Sequence, residues 1–228
     1  MAKPTLSSYI RDNVEEVDDK NTPGPYVSIS REFGCDGYRL GDLIAERLNQ
    51  IDEHPWKVYK KDVLKQLAEE SGLSAEMLER ERLSRPSLMK DLLKGAKKAH
   101  IPDGFEIRNK ITIMLRTLAF DGHAILVGQG STAATADLEN GISIRVEAPQ
   151  EWRIIRVCTR ENLSKEEATA KMIDIEKNRA ILNKIYADKN PRTPAHDLVF
   201  DNSAFTLEQI ADMTVTAMRM KELLPEEK

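Results

Sequence analysis

The stretch VSISREFGCDGYRLGDLIAERL, Val27 to Leu48, decides how the rest of the chain is read. Tyr26 to Ser30 reads as a buried strand, and a loop holding Gly34 and Gly37 follows. From Arg39 to Gln50 the apolar residues Leu40, Leu43, Ile44 and Leu48 recur at helical spacing, so the loop feeds an amphipathic helix. A strand entering a helix through a glycine turn aims several backbone N–H groups and the positive end of a helix dipole at one point. That geometry attracts an anion without any particular side chain. Gly34 and Gly37 permit the tight path, and Arg31 and Arg39 add positive charge. A common phosphate-binding loop ends in Gly-Lys-Ser or Gly-Lys-Thr, and this one does not. An ordinary βα turn is the alternative reading of the same residues.

Outward from this stretch the chain alternates short apolar strands with helices. Lys57 to Tyr59, Ala124 to Val127, Ile142 to Val146 and Asp197 to Phe200 read as further strands. Helices are expected over Asp62 to Ser71, over charge-dense segments between Ser74 and about His100, over Ile107 to Ala119 and over Gln150 to Arg160. Ser164-Lys-Glu-Glu is a capping box opening a long helix to about Tyr186, and Thr206-Leu-Glu-Gln caps the last one. This alternation predicts an α/β fold with a mostly parallel sheet. Asn21-Thr-Pro-Gly-Pro25 separates a polar arm, residues 1–24, from a domain over residues 25–224.

Composition bounds the function. The 228 residues are 32% charged and 40% hydrophobic, an ordinary globular balance, with a net charge of -4. That charge supplies no basic field for nucleic acid. No apolar run approaches the roughly 20 residues that span a bilayer, so no membrane partner is expected. The start lacks the apolar core of a signal peptide, and the cytoplasm is the default address. Cys35 and Cys158 stand far apart, which suggests neither a disulfide framework nor a zinc site. The four histidines show no ligand spacing, and no metal site is assigned. Homo-oligomerisation, with the arm as a contact, stays open.

Two more candidates lie outside the first loop. Gly128-Gln129-Gly130 directly follows a strand, where backbone approaches something closely; a plain strand-to-helix turn is the alternative. Ligands of open α/β sheets gather at the carboxyl ends of strands, so this turn and the first loop could face one crevice. Arg156, Arg160, Lys171, Lys177 and Arg179 form a basic region before an excursion at Ala187 to Ala195. A charge run is usually a solvated face. It would also suit a lid, over about residues 160–195, because phosphoryl transfer needs cations on a closing element.

Val27-Ser-Ile-Ser-Arg-Glu-Phe-Gly, with Gly37 and Leu40-Gly-Asp-Leu-Ile-Ala45, resembles the cytidylate kinase-like family of P-loop proteins. The resemblance continues through Tyr59-Lys-Lys-Asp-Val-Leu64, Ile125-Leu-Val-Gly-Gln-Gly130, Glu161-Asn-Leu-Ser-Lys-Glu-Glu-Ala168 and Glu176-Lys-Asn-Arg179. It implies a three-layer P-loop kinase-like fold with a helical insertion on the monophosphate side and a small lid. It implies transfer of the γ-phosphoryl group of ATP, with Mg2+, to a small monophosphate such as CMP. By matching positions, Ser30, Arg31, Gly34, Cys35, Asp36, Gly37, Tyr38 and Arg39 would hold the nucleotide phosphates. Tyr59, Lys60, Gly128, Gln129 and Gly130 would lie on the substrate side, and Lys177 with Arg179 would be the lid cations.

Laid over an ordinary cytidylate kinase, the sequence departs at named places. Gly37 stands where the loop lysine belongs, a loss the resembled family shares, and Arg39 stands at the magnesium-binding hydroxyl position. Lys60 replaces an aspartate, Gln129 an arginine, and Glu176 the aspartate of the lid motif. Arg31, the first cation after the strand, is the expected stand-in for the lysine. Two functions follow as expectations: a cytidylate-like monophosphate kinase, or a degenerate nucleotide- or phosphate-binding module with a sensing or partner-binding role.

Overall fold

A computed structural model describes residues 22–60, 104–187 and 195–225. The polar arm before residue 22, the expected helices and most of the expected monophosphate-side insertion between 61 and 103, and residues 188–194 of the expected lid lie outside the described residues. The described elements are β1 (Tyr26–Arg31), α1 (Gly37–Ile51), β2 (Lys57–Tyr59), α2 (Gly104–Asp121), β3 (Ala124–Val127) and α3 (Ser131–Ala134). They continue with β4 (Gly141–Glu147), α4 (Gln150–Glu161), α5 (Lys165–Ala187), β5 (Leu198–Asp201) and α6 (Leu207–Met220). The strands form one all-parallel sheet in the order β2-β3-β1-β4-β5.

Side-chain alternation in β1 explains the layering. Val27 and Ile29 face one way and pack with Leu40, Leu43, Ile44 and Leu48 of α1 and with Ile210, Ala211 and Met218 of α6. Tyr26 faces the other way, onto Ile107, Ile111, Leu115 and Leu118 of α2. Helices on both faces are what a parallel sheet requires, because neither face can be left to water. A third, smaller cluster of Ile154, Val157, Ala168 and Met172 holds α4 against α5, and Phe33 from the first loop packs onto it. Thus one aromatic residue ties the loop to the α4–α5 pair.

The helix ends follow the sequence signals. Ser164 Oγ accepts from the Glu167 amide at 3.2 Å, while Glu167 reaches back to the Ser164 amide at 2.8 Å. The same reciprocal box opens α6 between Thr206 and Gln209. Thr206→Ala is expected to lower stability by about 1 kcal/mol, read as a shifted urea midpoint with an unchanged slope. Asp197 precedes β5 instead of opening it: its carboxylate accepts from the amide and hydroxyl of Ser143 at 2.7 and 3.0 Å. The short helix α3 is an addition to the expected elements.

Candidate functional site

β1 and β3 are neighbours, so the loops leaving their carboxyl ends meet side by side. With Arg145 of β4 and one face of α5 they enclose a cavity of about 580 Å³. Five cations line it, Arg31, Arg145, Arg160, Lys171 and Arg179, against the acids Asp36, Glu161 and Glu176. Ser30, Gly34, Cys35, Gly37, Tyr38, Gly128, Gln129 and Gly130 also line it.

Arg31 is the centre of this arrangement. Its guanidinium lies 5.0 Å from the centre of the Tyr38 ring, a cation–π contact. A Cβ built on Gly128 would fall 1.9 Å from Arg31 Nη1, and one on Gly37 would fall 3.0 Å from its Cδ. Arg31 therefore threads between the two loops, through space that side chains at 37 and 128 would fill. A lysine at 37 would bring its Cβ against the Arg31 side chain, which would have to shift to admit it. Glu32 does not pair with Arg31; its carboxylate takes the Ala148 amide at 3.1 Å and the Arg153 guanidinium at 3.2 Å. Among the described residues Arg31 has no carboxylate partner within ion-pair distance.

The loop backbone is partly committed. Asp36 caps α1 by accepting from the Arg39 amide at 3.1 Å. Glu176 of α5 accepts from the Phe33 amide, and the Gly37 amide is turned to Cys35 O at 3.0 Å. The amides of Gly34, Asp36 and Tyr38 have no protein acceptor among the described residues. Gly34 has φ +101, and a Cβ there would sit 2.7 Å from Cβ of Arg153, so only glycine fits. Burial pushes the Cys35 thiol up to about 12, with the Arg153 charge acting against it, so this cysteine is no nucleophile.

The second loop is left-handed throughout, with φ 72 at Gly128, 60 at Gln129 and 83 at Gly130. The Gly128 amide donates to Ile29 O at 2.9 Å, which fastens this turn to β1. On α5, Lys171, Ile175, Asn178, Arg179 and Leu182 share the face towards the cavity. Arg179 donates to Arg31 O at 2.9 Å and to Glu176 at 3.2 Å. Burial first, then the neighbouring Arg31 charge, pushes Arg179 down to about 10, so it stays protonated at neutral pH. Lys171, bonded to Glu161 at 2.6 Å, holds that carboxyl below the usual carboxylate range.

The structure does not bring every candidate here. Lys177 is exposed and lies outside the cavity. Residues two apart on a helix point to different sides, so Lys177 and Arg179 cannot share a face. Arg39 points along α1 to Glu46 at 3.5 Å and does not line the cavity. Tyr59 and Lys60 also lie off it: Tyr59 packs beside the α2 cluster, and Lys60 pairs with Asp42 at 2.8 Å. Lys60 does reach Tyr38, with its Nζ 5.8 Å from the ring centre. Arg145 is the lining cation that sequence reasoning missed, and its Nη1 donates to Ser30 Oγ at 3.2 Å. Its signal is a lone cation inside the apolar alternation of Ile142, Ile144 and Val146.

The model of the cytidylate kinase-like family matches residues 26–204. The chain belongs to that family. The match spans β1 to the turn after β5 and includes both loops and α5. No curated protein matches the chain. An uncharacterized protein from Eubacterium ventriosum is similar in structure, with a TM-score of 0.59 at 18% identity over 86% of this chain and 98% of that one. TT1252 from Thermus thermophilus has a TM-score of 0.50 at 19% identity over 88% of this chain and 98% of that one. At such identities these likenesses speak to the fold, which is the kinase-like α/β fold expected of the family.

Proposed function

We propose that this member of the family is a small-molecule kinase, which transfers the γ-phosphoryl group of ATP to a cytidylate-like monophosphate. The observation that carries the reading is Arg31, held between two glycine loops and, among the described residues, without a carboxylate partner and beside three amides that have no protein acceptor. Such donors suit a polyphosphate, whose oxygens accept from backbone amides and guanidinium forks alike. Arg145 and Arg179 border the same space and would offset charge on the phosphoryl group in transit. In the reaction an acceptor phosphate oxygen bonds to the γ-phosphorus as the bond to the bridging oxygen breaks, and ADP leaves with that electron pair.

The residues fit ATP phosphates better than they fit magnesium. All three cavity acids are engaged, Asp36 as a helix cap, Glu161 with Lys171, and Glu176 with Arg179. Magnesium commonly rides on phosphate oxygens and water with few protein ligands, and no step here is routed through it. Arg31 and Arg179, with Ser30 and the Gly34 to Tyr38 loop, would serve the nucleotide, and Gly128 to Gly130 the acceptor side. Lys177 and Arg39 carry no role in this reading.

A second reading, a binding module without turnover, is favoured by one contact: Glu176 occupies the Phe33 amide and an Arg179 bond. Glu176→Gln should therefore tighten ATP binding at least a few-fold, because a competing anion is weakened. Incubation of the purified protein with ATP, magnesium and a panel of nucleoside monophosphates separates the two readings. Phosphorus NMR should show a diphosphate formed from at least one acceptor together with ADP. Tight ATP binding with no transfer to any acceptor would leave the module reading standing.

A further inference from the structure

The edge of the sheet opposite the cavity holds an unassigned cluster. Asp52 ends α1, His54 lies in the connection to β2, and His123 stands just before β3. β2 and β3 are paired at Lys57 and Ala124, which brings these two connections together at the amino ends of the strands. His54 Nδ1 lies 3.4 Å from Asp52 Oδ1, and His123 Nε2 lies 3.5 Å from Asp52 Oδ2. One ligand atom from each of the three residues lies within 4.8 Å of the other two.

We propose that Asp52, His54 and His123 bind a borderline divalent cation, with zinc the best match. Two imidazole nitrogens and a carboxylate are the donor types that zinc takes, with bonds of about 2.0–2.2 Å. Donors on a tetrahedral ion at that bond length stand about 3.3–3.6 Å apart, which His54 Nδ1 meets to one Asp52 oxygen and His123 Nε2 to the other, so one ion would take the carboxylate through both oxygens or draw the exposed His54 round to share one. The carboxylate is already oriented: it accepts from Trp56 Nε1 at 2.8 Å and from the His54 amide at 2.9 Å. Those bonds leave lone pairs on both oxygens and fix the group as second contacts fix a metal ligand. The Asp52 side chain is 4% exposed and cannot swing away, whereas His54 at 73% is free to turn onto an ion. His123 is held from both backbone sides, by its amide to Pro25 O at 2.6 Å and by the Lys57 amide to its carbonyl at 2.9 Å. A bound ion would staple the α1–β2 connection to the α2–β3 connection, away from the loops that line the cavity.

Calorimetric titration of zinc into the chelator-treated full-length protein tests this. Wild type should bind one ion per chain at micromolar or lower zinc, and its thermal midpoint should rise with the metal. His54→Ala changes an exposed side chain and keeps the amide bond to Asp52, so it should fold normally and lose affinity by at least about tenfold. His123→Asn keeps a residue tolerant of the left-handed φ of 51 and should lose a similar factor. Cys158→Ser should bind as wild type does. No zinc binding, or affinity unchanged in either histidine variant that folds as wild type does, would overturn the site.

Discussion

Replacing Arg153 by methionine is expected to destabilise the protein by about 3 kcal/mol. Its guanidinium is 9% exposed and bonds Ala148 O at 2.8 Å and Phe33 O at 3.1 Å while facing Glu32 at 3.2 Å. Methionine fills much of the volume but leaves the Glu32 charge without its partner. The cost sits at the lower end of the range for a broken buried pair because Glu32 keeps 23% of its side-chain surface. The same substitution frees the first loop, since Arg153 is the wall against which Gly34 is folded. Chemical denaturation followed by circular dichroism reads the loss. A variant as stable as wild type would mean that Phe33 and the sheet hold the loop unaided.

Arg31→Ala should act on binding and spare the fold. Arg31 touches the Tyr38 face and backs onto glycines 37 and 128, and no core contact depends on its charge. Charge-assisted bonds to phosphate are worth about 1.5–3 kcal/mol, so ATP affinity should fall about tenfold to a hundredfold. Arg39→Ala, which removes only an exposed pairing with Glu46, should leave affinity unchanged. Titration calorimetry with ATP and magnesium gives both values. Equal affinity in wild type and Arg31→Ala would remove Arg31 from the nucleotide site.

The fold was legible because periodicity carries most of it. Alternation in Ile142, Ile144 and Val146 and the helical spacing of Leu40, Leu43, Ile44 and Leu48 report burial directly, and both elements stand where that pattern puts them. Boundaries moved by a residue or two where backbone bonds outlast the apolar pattern, as in β1, which runs on to Arg31. The four-residue α3 is too short to show a period.

The candidate site was legible where glycines mark a backbone need, at Gly34 and at Gly128 to Gly130. It was less so where side-chain direction decides. Lys177 and Arg179 stand near each other in sequence and both match the resembled lid motif, although a helix turns about 200° between them. Arg145 was hidden because attention to the apolar members of β4 passes over the cation between them. The paired histidines come from separate connections, and no local spacing could join them.

Under the proposed function, nucleotide phosphate rests on the loop from Gly34 to Tyr38 beside Arg31. Amide chemical shifts of the full-length protein, followed as a non-hydrolysable ATP analogue is added, test it most directly. The amides of Gly34, Asp36 and Tyr38 should shift together in one saturating transition, and Arg31→Ala should move that transition to higher ligand concentration. Saturable shifts confined to other parts of the protein, with these three amides unmoved, would contradict it.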